Sequence, residues 1–257
     1  MMVWRILIPL IMGAGLLALW EAWVIMAEIP KFVLPAPTAI ADAMTQNAAA
    51  LMDALWVTLS VTGLAFFWAV MSGVGLAVLF TRARLIEMAL YPYVVTLQVT
   101  PVVAIAPLIL IWVGFDNVDR ALIIIAWIVA FFPMLTNSVQ GLRSVEPALH
   151  DMMTLSGARW WQRLWHLELP AALPAMLTGA KISGGLALIG AVVAEFVAGS
   201  GASTGLAWRI IEAGNRLEIA TMFAALALLS ALGIALFYLL SFLEWLLLRR
   251  WHDSFSR

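Results

Sequence analysis

The sequence holds no cysteine, and only three histidines and three tyrosines, in 257 residues. Without cysteine, disulfide frameworks and thiolate-held metals are excluded. The histidines, His150, His166 and His252, have no metal-ligand spacing. Charge is equally scarce, at 11% against about 25% for a soluble domain. The formal net charge of −1 leaves no basic footprint for nucleic acid. Also missing is any Gly-x-x-x-x-Gly-Lys-Ser/Thr loop, so the chain encodes no cradle for nucleotide phosphates. The glycine-rich stretch Gly199–Gly205 lacks the lysine and reads as a turn or re-entrant connector. No catalytic, cofactor-binding or metal set is assigned.

What fills the chain instead is apolar. Hydrophobic residues reach 64%, against roughly 45–50% in soluble domains. Lipid must therefore be the solvent for much of it. Thirteen tryptophans suit a membrane protein with ring anchors at the interface. A spanning helix needs about 20 apolar residues. Charge-free windows cover 6–20 (apolar again to 27), 54–81, 88–115, 121–142 and 219–243. A sixth span, at about 175–198, is interrupted by Lys181 and Glu195. The expected fold is an all-α membrane protein with a six-helix transmembrane bundle. A β-barrel is rejected, because its strands alternate with period two over about 10 residues. The first span follows Arg5 as a signal peptide would, but it is long and lacks a clean cleavage site, so it is read as retained.

Lys and Arg set the direction. With the N-terminus inside, inner segments carry Arg5, Arg82, Arg84, Arg143, Arg159, Arg163, Arg249, Arg250 and Arg257. Outer segments carry Lys31, Arg120, Arg209 and Arg216. Both termini are thus expected in the cytoplasm, with the longest inner loop, 142–172, between the fourth and fifth spans. Residues 1–54 form a first helix and outer segment, 55–247 a core, and 248–257 a tail. The third span holds Pro92, Pro101 and Pro107. Proline inside a helix bends the axis, so this span is either a kinked packing helix or one whose kinks shape a solute cavity.

The loop is too ordered for a plain connector. Pro147 suits the first turn of a helix, after Glu146. Leu149, Met152, Met153 and Leu155 then share an apolar face, and Gly157 sits where a helix ends at positive φ. A second short helix runs from Arg159 to Leu169, and Leu169–Pro170 is expected to stop it before the fifth span. Such a pair of helices either braces the bundle at the interface or offers an apolar tip to a groove on a partner.

Asp151–Met152–Met153, Gly157 after three residues, and Leu167–Glu168–Leu169–Pro170 after nine more resemble the loop motif of inner-membrane permease subunits of ABC importers. That motif reads Glu-Ala-Ala, three residues, Gly, nine residues, Ile, any residue, Leu-Pro. The Met pair for Ala-Ala is the main departure. Leu34–Pro35–Ala36–Pro37–Thr38, Pro101 to Phe115, Phe131–Phe132–Pro133 with Asn137, Ala194–Glu195–Phe196 and Thr204–Gly205–Leu206 resemble the branch serving nitrate, sulfonate, taurine and pyrimidine or thiamine precursors. The resemblance implies a bacterial inner-membrane, multi-pass permease that is not itself an enzyme. Its implied partners are cytoplasmic ABC ATPase subunits, a second permease subunit forming a homodimer, an extracytoplasmic solute-binding protein, and a small-molecule substrate. The loop residues Glu146, Leu149, Asp151, Met152, Met153, Gly157, Ala158, Leu169 and Pro170 would be the coupling segment for the ATPase. Pro101, Pro107 and Glu195 would be pathway or gating positions. The 194–199 stretch is closest to permeases for heteroaromatic vitamin precursors of the pyrimidine and riboflavin types, with sulfonates, taurine or nitrate as runner-up.

Charges within spans are costly and usually face the bundle interior. Glu195 either lines the pathway or pairs with a cation such as Arg209. Lys181 is expected to snorkel to the headgroups, and Glu21 and Glu244 to lie at the interface. Ser183, Ala187 and Ala191 allow close helix approach, within the chain or between subunits. Arg209, Glu212 and Arg216 fall at i,i+3 and i,i+4 spacing on an outer helix, solvated or touching the binding protein. The rival readings are a stand-alone secondary transporter, for which no inverted repeat is evident, and a membrane anchor for a cytoplasmic enzyme.

Overall fold

The computed structural model describes residues 2–198 and 204–249. Gly199 to Ser203, most of the glycine-rich stretch, and the tail with Arg250, His252 and Arg257 lie outside the described residues. Every regular element among the described residues is a helix. The α-helices in order are α1 (Met2–Met26), α2 (Pro37–Gln46), α3 (Ala48–Arg82), α4 (Arg84–Val99), α5 (Val102–Val113), α6 (Val118–Leu142), α7 (Pro147–Leu155), α8 (Trp160–Arg163), α9 (Leu169–Ala198), α10 (Leu206–Asn215) and α11 (Ile219–Leu248), with a 3-10 turn, Phe115–Asn117, between α5 and α6. A π-helical turn, Leu164–Glu168, joins α8 to α9. The stretches at 7–26, 48–82, 118–142, 160–198 and 219–248 are each long and apolar enough to cross a membrane.

The third expected span differs. It is not one kinked helix over 88–115 but a pair, α4 and α5, bent by 104° at a break. Thr100 (φ −70°, ψ 125°) and Pro101 (φ −61°, ψ 111°) are both extended. Proline drives the residue before it out of the helical region and cannot supply the next N–H. The Thr100 hydroxyl donates to the Thr96 carbonyl at 2.7 Å and the Thr96 hydroxyl to that of Pro92 at 2.9 Å, occupying carbonyls near the break. Pro92 and Pro107 stay within their helices.

The chain divides into two compact units. One comprises the described residues of 1–57 and 204–230. Here the Glu21 carboxylate on α1 accepts hydrogen bonds from the Thr38 amide (3.1 Å) and hydroxyl (2.7 Å), placing an acid at the amino end of α2, where the helix dipole favours it. Leu51, Ala54, Leu206, Ala224 and Ala225 form its buried centre. On α10, Glu212 pairs with both Arg209 (2.7 Å) and Arg216 (2.8 Å), as the spacing predicts. Most of α1 exposes bare Leu, Ile, Met and Trp side chains, which suits a lipid-facing helix.

The other unit comprises the described residues of 58–203 and 231–257 and is built on α6 and α9. The two run antiparallel and close because small residues meet along both. A methyl on Gly141 would lie 2.9 Å from the Ala172 carbonyl oxygen, one on Gly179 2.7 Å from Asn137 Cβ, and one on Gly190 2.8 Å from Ala126 Cα. Such small-residue seams let backbones approach in lipid, where van der Waals packing drives association. Ala69, Ala130 and Ala187 form one buried patch, and Ala191 joins Val61, Ala121, Ile125 and Ala194 in another. The Ser183–Ala187–Ala191 stripe therefore serves packing within the chain. Ala106, Ile109 and Leu110 of α5 pack on α6 beside them, after a turn at Gly114 with φ 88°.

Candidate functional site

The loop 143–170 is the most elaborate connection in this unit. Pro147 opens α7 at its first position, and Glu146, extended at φ −62° and ψ 132°, is its N-cap residue. The Glu146 carbonyl accepts from the Leu149 amide at 3.0 Å. At the other end Gly157 has φ 70°. The Ala158 amide donates to the Met153 carbonyl and the Gly157 amide to that of Thr154, both at 3.0 Å. This is the paired-bond helix stop that a left-handed glycine permits, as the sequence predicts. The Arg159 amide then donates to the Gln162 side chain at 2.7 Å, starting α8, and Arg163 reaches back to the Thr154 hydroxyl at 3.1 Å. The corner between α7 and α8 is thus held from both sides.

Leu169–Pro170 does not stop the second helix, contrary to the sequence reading. The helix passes through the π turn, where the Leu169 amide bonds the Leu164 carbonyl, and continues to Ala198. Pro170 lacks the N–H that an ordinary helix would send to the His166 carbonyl. The wider turn absorbs that loss. Single π turns of this kind mark functional sites in many helices.

No residue of α7 is buried. Leu155 is 89% exposed, Met152 57% and Leu149 40%, with Met153 half-buried and Asp151 exposed. The predicted face is present and open. Asp151, with His150, Arg82, Arg143 and Glu168, lines a cleft of about 370 Å³ under the loop. Leu169 packs into the core beneath, among Phe80, Leu142 and Leu164, and Pro170 is exposed.

Four charges missed by sequence reasoning tie this loop to the corner between α3 and α4. Arg82, the last residue of α3, makes an ion pair with Glu168, whose side chain is 4% exposed. Arg143, just past α6, bonds Glu87 in the first turn of α4 at 2.6 Å. The Arg82 guanidinium also sits 5.9 Å over the Trp160 ring. Arg82, Arg84, Glu87, Tyr91 and Arg143 line a second cleft of about 790 Å³. Opposite charges around Ala83 and at both ends of the loop were the available signal, but the inner-segment count absorbed them.

The pathway candidates are not brought together with the loop residues. Pro101 marks the α4–α5 break and Pro107 lies inside α5. Glu195 is fully buried on α9 and accepts a hydrogen bond from the Thr58 hydroxyl at 2.7 Å. Lys181 has a partner that the sequence did not reveal. It pairs with Glu244 of α11 at 2.6 Å.

The sequence model of the binding-protein-dependent transport system inner membrane components matches residues 69–246, which include the loop, the broken helix and the α6–α9 pair. The chain belongs to this family. It is an inner-membrane ABC permease component. The riboflavin transport system permease protein RibX of Chloroflexus aurantiacus is 36% identical over 93% of this chain and 88% of its own. A probable ABC transporter permease protein of Haemophilus influenzae is 32% identical over 95% and 97%. The formylaminopyrimidine transport permease protein ThiX of Halalkalibacterium halodurans is 30% identical over 93% and 94%. In fold, the family member resembles a chain of the inward-facing MetNI methionine ABC transporter, with a TM-score of 0.68, 18% identity, and coverage of 79% of this chain and 98% of that one.

Proposed function

We propose that this permease works in an ATP-driven importer, with residues 55–247 as its core, and that α7 seats in a groove of a cytoplasmic ABC ATPase. The observation that carries the reading is the bare face of α7, whose Leu149, Met152 and Leu155 are exposed at the tip of a loop braced at its base. An amphipathic helix laid into a groove is a common recognition mode. In this reading both termini are cytoplasmic, two copies of the chain form the membrane unit, and an extracytoplasmic solute-binding protein delivers the solute. ATP hydrolysis belongs to the partner. The nature of the family, binding-protein-dependent transport, supports the assembly.

For the solute we favour an uncharged heteroaromatic compound of the riboflavin or pyrimidine-precursor type. The named relatives with those solutes support it. So does the pairing of Lys181 with Glu244, since the one lysine within the expected spans is already neutralised by a carboxylate of the same chain. Sulfonate or taurine, named for two relatives at 29% and 28% identity, is the alternative. The test is purification from native membranes of the wild type and of Leu155→Asp with Met152→Asp. The wild type should carry a polypeptide with ATP-hydrolysing activity and the variant should lose it while keeping its own elution volume. Retention of the ATPase by the variant would refute the docking role.

A further inference from the structure

Movement that enters at α7 reaches α6 and α9 through the chain itself, because the loop is their connection. The broken helix pair α4–α5 has no such covalent link to the loop. Two ion pairs bridge the two non-covalently. The α3–α4 corner presents Arg82 to Glu168 at the far end of the loop, and Glu87 to Arg143 at its near end. The polarities are crossed, so the corner fits the loop in one register only. Beneath them Phe80 of α3 packs with Leu142 and Leu164, which bracket the same loop. Glu168 closes the π turn, whose extra residue per turn sets the rotation at which the carboxylate leaves the helix. From the corner, α4 runs to the extended pair Thr100–Pro101. A two-residue break between rigid helices is the kind of joint that absorbs backbone rotation in a hinge.

We propose that Arg82–Glu168 and Arg143–Glu87 are the transmission contacts that carry the ATPase-driven displacement of the loop into the α4–α5 hinge. Here Glu168 and Arg82 act as positioning residues and touch neither nucleotide nor solute. The inference rests on the reading of α7 as the docking helix. One face of a helix corner held by two charge pairs moves with its partner, whereas a corner held by packing alone can slide. Glu168 dominates, because its carboxylate is the more enclosed end of the two pairs, with a side chain 4% exposed, and losing a partner costs most where burial is deepest.

The absence of cysteine simplifies the experiment, since an introduced thiol is the only one in the permease, and labelling is read on the permease band after separation from the ATPase. Val103→Cys places it on α5 just past the break, at a position 59% exposed. The full complex, permease with its ATPase, is reconstituted in lipid vesicles. The rate of thiol labelling is compared without nucleotide and with ATP plus vanadate. The expected result is a nucleotide-dependent change in labelling that falls at least about fivefold in Glu168→Gln, the lower range of an ordinary allosteric coupling. ATPase retention and hydrolysis stay within about twofold. The exchanged pair Arg82→Glu with Glu168→Arg recovers the change. An unaltered labelling response in Glu168→Gln overturns the inference and leaves the docking reading standing. Loss of the ATPase from Glu168→Gln without recovery in the exchanged pair also overturns it, since the pair would then only hold the docking surface together. The docking reading fails separately, if Leu155→Asp with Met152→Asp retains the ATPase.

Discussion

Replacing Gly190 by alanine tests the α6–α9 seam around which the larger unit is built. The new methyl would lie 2.8 Å from Ala126 Cα, 3.2 Å from its carbonyl oxygen and 3.3 Å from Val129 Cβ. Comfortable carbon contacts begin at about 3.5 Å, and two of these neighbours are backbone atoms of α6, which cannot rotate away. The helices must part by roughly 0.5–1 Å at this point, and overpacking of that sort costs about 1–3 kcal/mol. Alanine also favours a helix over glycine by about 1 kcal/mol, so Gly190→Ala alone would understate the clash. Gly185, five residues earlier on α9, is exposed and has nothing within 4 Å of an added methyl. Gly185→Ala gains the same propensity without the clash. The informative quantity is therefore the difference between the two variants, expected at about 1–3 kcal/mol with Gly190→Ala the less stable. Unfolding by SDS in mixed micelles, followed by tryptophan fluorescence, reads it. Two variants equal within about 0.5 kcal/mol, or the reverse order, would refute the close approach.

Gly157→Val forces a β-branched residue to φ 70°, at about 1–2 kcal/mol. It should unwind the end of α7 and weaken ATPase association, while Gly157→Asn, which tolerates that conformation, should do much less; equal co-elution in both variants would speak against a fixed corner. Lys181→Met should destabilise by about 1–3 kcal/mol by stranding the partly buried Glu244, and adding Glu244→Leu should recover most of the loss, with a double-mutant cycle measuring the coupling. A recovery no larger than for an unrelated second site would remove the pair from the account. Thr58→Val takes a donor from the buried Glu195 and should cost about 1–3 kcal/mol, whereas Thr58→Ser should stay near wild type in the same unfolding assay.

The spans and the loop were legible because their signals are local. Unbroken apolar windows mark α1, α3, α6 and α11, and the Pro147 start and Gly157 stop of α7 follow from backbone chemistry at single residues. The third span was readable only as bent, since proline spacing reveals a break but not whether two consecutive residues turn extended, as Thr100 and Pro101 do. Leu169–Pro170 misled for a related reason. A proline missing one hydrogen bond looks like a stop until the wider π turn around Leu164–Glu168 is seen to absorb it. The ion pairs were invisible because Arg82 and Glu168 lie 86 residues apart, and Lys181 and Glu244 lie 63 apart. Each charge alone had a plausible place at the lipid interface. The internal role of Ser183–Ala187–Ala191 likewise needed Ala69 and Ala130, which no spacing rule connects to them.

Reconstitution of the purified chain into lipid vesicles, alone and together with its ATPase and solute-binding protein, addresses the central claim most directly. Labelled riboflavin, a formylaminopyrimidine and taurine serve as probes. A heteroaromatic probe is expected to accumulate only when the complete assembly is present and ATP is supplied on the side bearing α7. Accumulation by the chain alone, driven by an ion gradient and indifferent to ATP, would contradict it.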